Sequence, residues 1–82
     1  MTTFAFAAGQ EVLAGDEAIG ELVTTLHHDD VEYLHVRRYG AGLDDLYIPS
    51  IAVRDIVAKH VYLALDPEAL LGEAWHVRPG SA

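Results

Sequence analysis

The sequence predicts an all-β domain, a small antiparallel β-barrel of five to six strands with a short C-terminal helix. Three observations predict it. Apolar and polar residues alternate in several short runs, Val, Thr and Tyr concentrate in those runs, and turn residues interrupt them about every ten positions. The only clear helix-start signal falls near the C-terminus, at Asp66-Pro67-Glu68. There Asp can cap, Pro suits the first helical position, and Glu favours the positive end of the dipole.

Taken in order, residues 1–8 are uncharged, with Phe4 and Phe6 alternating. They read as an edge strand or as a flexible N-terminal segment. Gly9 to Leu13 reads as a short strand, and Gly15-Asp16-Glu17 as a turn. Ala18 to Leu26 is rich in Thr and Val and predicts a second strand, with Gly20 marking a bulge or sharp bend of the kind small barrels use to close. His27-His28-Asp29-Asp30 is a polar turn. Val31 to Tyr39 alternates most cleanly, with Leu34 and Val36 on one face and Tyr33, His35 and Arg37 on the other. The two strands form a hairpin whose register stays open. An odd-length connection places Leu22 and Thr24 with Leu34 and Val36; an even-length one places Ile19 and Val23 there.

Residues 40–45 form a second loop. Leu46-Tyr47-Ile48 is a strand that Pro49 must end, because proline cannot donate to a ladder. Ser50 to Val53 reads as a turn with one 3₁₀ turn in it. Arg54 to Val57 and His60 to Leu65 form the last hairpin around Ala58-Lys59, and Gly72 is a candidate stop for the C-terminal helix. The chain divides into an N-terminal segment (1–8), one domain (9–76) and a flexible tail (77–82). Surface scaling for a chain this short predicts that about 63% of the extended surface is buried on folding, so the core is marginal.

Composition excludes several function classes. Thirteen acidic residues against five basic ones give a formal charge of -8, and there is no cysteine. A field of that sign repels phosphates, which argues against nucleic-acid binding. Disulfide scaffolds, thiol catalysis and Cys-ligated zinc are impossible. No basic segment precedes an apolar run near Met1, and no stretch is long enough to span a bilayer, so the expectation is a cytoplasmic protein without direct membrane insertion.

The order of signals resembles the PRC-barrel domain. Val12, Gly15-Asp16, Ile19-Gly20-Glu21-Leu22, Leu34-His35-Val36, Tyr47-Ile48-Pro49 with Val53, and Val61-Tyr62-Leu63 follow that family's pattern. With Trp75 after Val61 to Leu65, the chain is similar to a stand-alone bacterial branch of that superfamily with no assigned role. Ser50 stands where the usual pattern has Leu after Pro, and Ile51 takes that leucine's place. The resemblance covers residues 9–76. It implies a PRC-type barrel used for docking and assembly, as in the H subunit of the photosynthetic reaction centre and a ribosome-maturation protein. It brings no catalytic residues and no cofactor.

Five residues are candidates for a protein interface: Tyr33, His35, Tyr47, Tyr62 and Trp75. The first four sit one position off the aliphatic face of their strands, where aromatic rings mark contact surfaces or cover barrel seams. Trp75 is read first as docking the helix on the barrel and second as an interface residue. The expected function is a non-enzymatic interaction module that forms a homodimer, with its protein partner unnamed by the sequence. The alternative is a metal- or small-ligand-binding module on the His27–His35 hairpin, using His27, His28 and Asp30. Against it, strand neighbours face opposite ways, so His27 and His28 cannot readily share an ion. The paired acids Asp29-Asp30 and Asp44-Asp45 fall in turns and read as solvated. Arg37 and Arg38 also face opposite ways and make no phosphate patch. Ser50 and Ser81 lie in no nucleophile elbow.

Overall fold

The computed structural model describes residues 6–72 and 75–79. Six strands make one sheet: β1 (Glu11–Ala14), β2 (Glu17–His28), β3 (Val31–Arg38), β4 (Leu46–Pro49), β5 (Val53–Val57) and β6 (His60–Leu63). A 3₁₀ turn (Ser50–Ala52) links β4 to β5, and one helix, α1 (Pro67–Leu71), follows β6. The strand order is β4-β3-β2-β1-β6-β5.

That order and the short link together shape the molecule. In a flat sheet β4 and β5 would lie five strand spacings apart, about 24 Å. The three residues between Pro49 and Val53 can reach at most about 14 Å. The sheet must therefore curl until its two edges nearly meet. Three register shifts supply the bend: between Val12 and Leu13 on β1 opposite Ile19, between Leu22 and Thr24 on β2, and between Val53 and Asp55 on β5. Each leaves one extra residue (Ile19, Val23 or Arg54), and a bulged strand bends and twists.

The concave face holds the core. Val12, Ala14, Leu22, Leu34, Val36, Leu46, Ile48, Val53, Val61 and Leu63 are buried on it, and Leu70 of α1 joins them. Phe6, Ile19, Ile56, Leu65 and Trp75 pack around the rim of this cluster. α1 is seated as its sequence demands: Asp66 Oδ1 accepts from the Ala69 amide at 2.9 Å, Pro67 opens the helix, and Gly72 ends it.

The structure answers the register question in an unforeseen way. The β2–β3 turn is the two-residue pair Asp29-Asp30, both with positive φ (51° and 65°), as a type I′ hairpin requires. This even-length turn pairs Thr25 with Leu34 and Thr24 with His35. Continued without a break, it would set Val23 against Val36. The extra residue at Val23 shifts the ladder by one, so Leu22 meets Val36 instead. Neither simple alternative holds along the whole hairpin.

Two expectations need correction. The sheet is open, because β4 and β5 are not paired. Both seam edges are occupied locally: the Tyr47 amide donates to the Trp75 carbonyl at 2.7 Å, and the Ile56 amide donates to Asp55 Oδ1 at 2.8 Å. Nor is the sheet wholly antiparallel. β1 and β6 run parallel, because the short link carries β5 on in the sense of β4 where a hairpin would have reversed it. Of the N-terminal segment, residues 1–5 lie outside the described residues, and residues 6–8 form no strand; Phe6 instead packs against the core.

Gly20 is fixed by close approach rather than by φ. A Cβ there would stand 2.5 Å from the Arg37 carbonyl oxygen and 2.8 Å from Val36 Cγ1. Gly20→Ala should therefore destabilise the fold by about 1–3 kcal/mol, the cost of overpacking against a backbone that cannot yield. Chemical denaturation measures it, and an unchanged midpoint would contradict the close approach.

Candidate functional site

The pleat divides each strand between the core and a convex outer face. On β3, Leu34 and Val36 point inward, so Tyr33, His35 and Arg37 point outward. The register sets these beside matching residues of β2 and β4. Leu26, Tyr33 and Pro49 form one row, Thr24, His35 and Tyr47 the next, and Glu21 pairs with Arg37 in the third. All but Thr24 and Arg37 are half-buried.

His35 and Tyr47 are the centre of this face. The Tyr47 amide points away from β3 toward Trp75, which makes His35 and Tyr47 a non-hydrogen-bonded cross-strand pair, the arrangement that brings side chains closest. Their rings stack, with centroids 4.8 Å apart and planes tilted by 20°. His35 Nε2 lies 2.8 Å from Asp45 Oδ2. An ionised carboxylate only accepts, so this nitrogen carries the proton. At the margin Arg37 meets Glu21 at 2.9 Å, an exposed pair worth under about 1 kcal/mol.

The five interface candidates thus separate. Tyr33, His35 and Tyr47 share one patch. Tyr62 lies on the same convex face but on β6, three strand spacings or about 14 Å away. It sits opposite Leu13, with the Arg54 guanidinium 5.9 Å from its ring centre. Trp75 belongs to neither group, being half-buried against the core cluster.

The histidine hairpin does not converge. His27 lies 3.9 Å from Glu32, His28 lies 3.2 Å from Asp29, and Asp30 occupies the exposed turn. Among the described residues no three His, Asp or Glu side chains gather where they could hold a metal ion. Asp29, Asp30 and Asp44 are exposed, and Asp45 is engaged by His35. Among the described residues no helix is long and apolar enough to cross a membrane.

A second feature went unnoticed in the sequence. At the end of the concave face where β2 begins and β3 ends, the curled sheet opens into a cleft of about 230 Å³. Ile19, Leu43, Pro67 and Leu70 give it apolar walls, and Glu17, Arg38 and Tyr39 give it polar groups. Leu43 is set by the loop before it: a Cβ on Gly40 (φ 118°) would fall 2.9 Å from Leu43 Cδ1. The Tyr39 hydroxyl donates to Glu11 at 3.4 Å. Partial burial raises its pKa above the ordinary tyrosine value, aided by the Glu11 and Glu21 carboxylates. Alternation could have revealed the cleft's charge, because Arg38 continues the inward series Leu34, Val36. The two arginines do face opposite ways, and Arg38 is the one that faces in.

No family of known proteins, no curated protein and no solved structure matches the chain.

Because the Trp75 ring packs on the core, Trp75→Ala should cost about 2–4 kcal/mol, toward the lower end for a large aromatic since the ring is only half-buried. A loss below about 1 kcal/mol in urea titration would mean that the ring contributes no packing.

Proposed function

We propose that the chain is a non-enzymatic protein-interaction module of PRC-barrel type, working in the cytoplasm, which self-associates as a homodimer through the outer face of β3 and β4. The observation that carries this reading is the stacked His35–Tyr47 pair with Leu26, Tyr33 and Pro49 around it. Rings already held by a cross-strand stack and the Asp45 contact lose little freedom on binding, and rigid aromatics surrounded by polar groups are typical anchors of an interface. The second copy is the favoured occupant because the core is small for a free-standing domain, and a two-fold contact between identical patches doubles the apolar area withdrawn from water. The PRC assignment rests on the order of short motifs from Val12 to Leu63.

The charge makes the reading testable. Each copy carries a formal charge of -8, so two copies repel at low salt. A dimer held by apolar contact should persist or tighten as salt screens that repulsion, whereas one held by ion pairs should loosen. Light scattering on a size-exclusion column should give twice 8.9 kDa at high salt, and Tyr33→Glu should give a folded monomer. A wild-type monomer across the micromolar range would refute self-association. A Tyr33→Glu dimer would refute this face.

A further inference from the structure

The cleft at the open end of the sheet contains a charge that its surroundings do not explain. Arg38 is half-buried and lines the cleft beside Ile19, Leu43 and Leu70, yet among the described residues its side chain has no ion pair or hydrogen bond. This occurs in a chain with thirteen carboxylates, where the adjacent Arg37 has taken Glu21 at 2.9 Å. A guanidinium is always charged and presents a planar fork of donors suited to a carboxylate. Clefts with apolar walls and a few converging polar groups, at the mouth of a curled sheet, are where small ligands bind.

We propose that this cleft binds a small organic carboxylate with a short branched apolar tail. The acid would lie on Arg38, and the tail between Ile19, Leu43 and Leu70. The volume of about 230 Å³ would hold roughly eight waters, which fits a tail of about five carbons. The cleft's lining holds one guanidinium, Arg38, and one carboxylate, Glu17, and a single guanidinium matches a single negative charge. A multiply charged phosphate is disfavoured both by that carboxylate and by the overall charge of -8. The tail displaces water from apolar walls, and the acid supplies the partner that Arg38 lacks. The inference does not rest on the dimer, because the cleft and the outer face of β3–β4 lie on different surfaces.

The test is an NMR titration of the intact chain with 4-methylpentanoate, 4-methylpentan-1-ol, leucine and inorganic phosphate. With 4-methylpentanoate, saturable shifts should concentrate at Ile19, Arg38, Leu43 and Leu70. The uncharged alcohol should bind at least tenfold more weakly, and phosphate should not saturate. Arg38→Gln, checked as folded by its own spectrum, should lose at least tenfold in affinity for the acid. Leucine distinguishes the sources of the carboxylate. Binding as tight as the simple acid's would show that Glu17 takes the ammonium group and that the ligand is a free amino acid; rejection of leucine would point to an unsubstituted short-chain acid. No saturable shift with 4-methylpentanoate, equal binding of the alcohol, or undiminished binding by Arg38→Gln would each overturn the proposal.

Discussion

The three residues joining β4 to β5 constrain everything else. They connect the first and last strands of a six-stranded sheet, which a flat sheet would hold too far apart for them to reach. Satisfying that link costs curvature, and curvature requires extra residues on the strands that bend. Ile19, Val23 and Arg54 are those residues. Gly20, between the two on β2, lets that strand approach β3 more closely than any side chain would permit. The Val23 bulge has a second consequence. It keeps Leu22 on the concave side although the even-length turn alone would have turned Val23 there.

Curling creates two surfaces of different character. The concave side closes over aliphatic side chains, and α1 covers part of it with Leu70. Beside the helix, which contributes Pro67 and Leu70 to its wall, the concave side ends in the cleft that contains Arg38. The convex side gains a row of rings because polar and aromatic residues alternate with the core set along β3 and β4. The seam is blocked without pairing: the Trp75 carbonyl occupies an edge amide of β4, and Asp55 occupies one of β5. Those contacts also protect two edges that would otherwise invite another strand.

Much of this was legible in the sequence. Alternation placed Leu34, Val36, Val61 and Leu63 inside and Tyr33, His35, Tyr47 and Tyr62 outside. Pro49 ended its strand, Asp66-Pro67 started the helix, and Gly20 announced the bend. What stayed hidden depends on contacts between distant parts of the chain. The bulge at Val23 has no local signature, since Val suits a regular strand as well. The parallel β1–β6 pair follows from topology, which periodicity does not report. The sheet stays open at a seam where the Trp75 carbonyl and the Asp55 carboxylate hold edge amides of β4 and β5, contacts that alternation does not report. His35 and Asp45 meet only once β3 and β4 are in register. Arg38 could have been found by extending the Leu34–Val36 parity by one step, but that its side chain has no partner among the described residues emerges only from the folded arrangement.

Deleting Val23 tests the central claim most directly. The deletion makes the Leu22–Val36 and Thr24–His35 pairs consecutive, so every cross-strand partner is kept and only the bend is removed. If the bulge supplies curvature that the β4–β5 link demands, the shortened chain should lose about 2 kcal/mol or more in urea denaturation, because the whole core shares that curvature. A deletion variant as stable as the parent would contradict the account, for it would show that the sheet curls without the bulge.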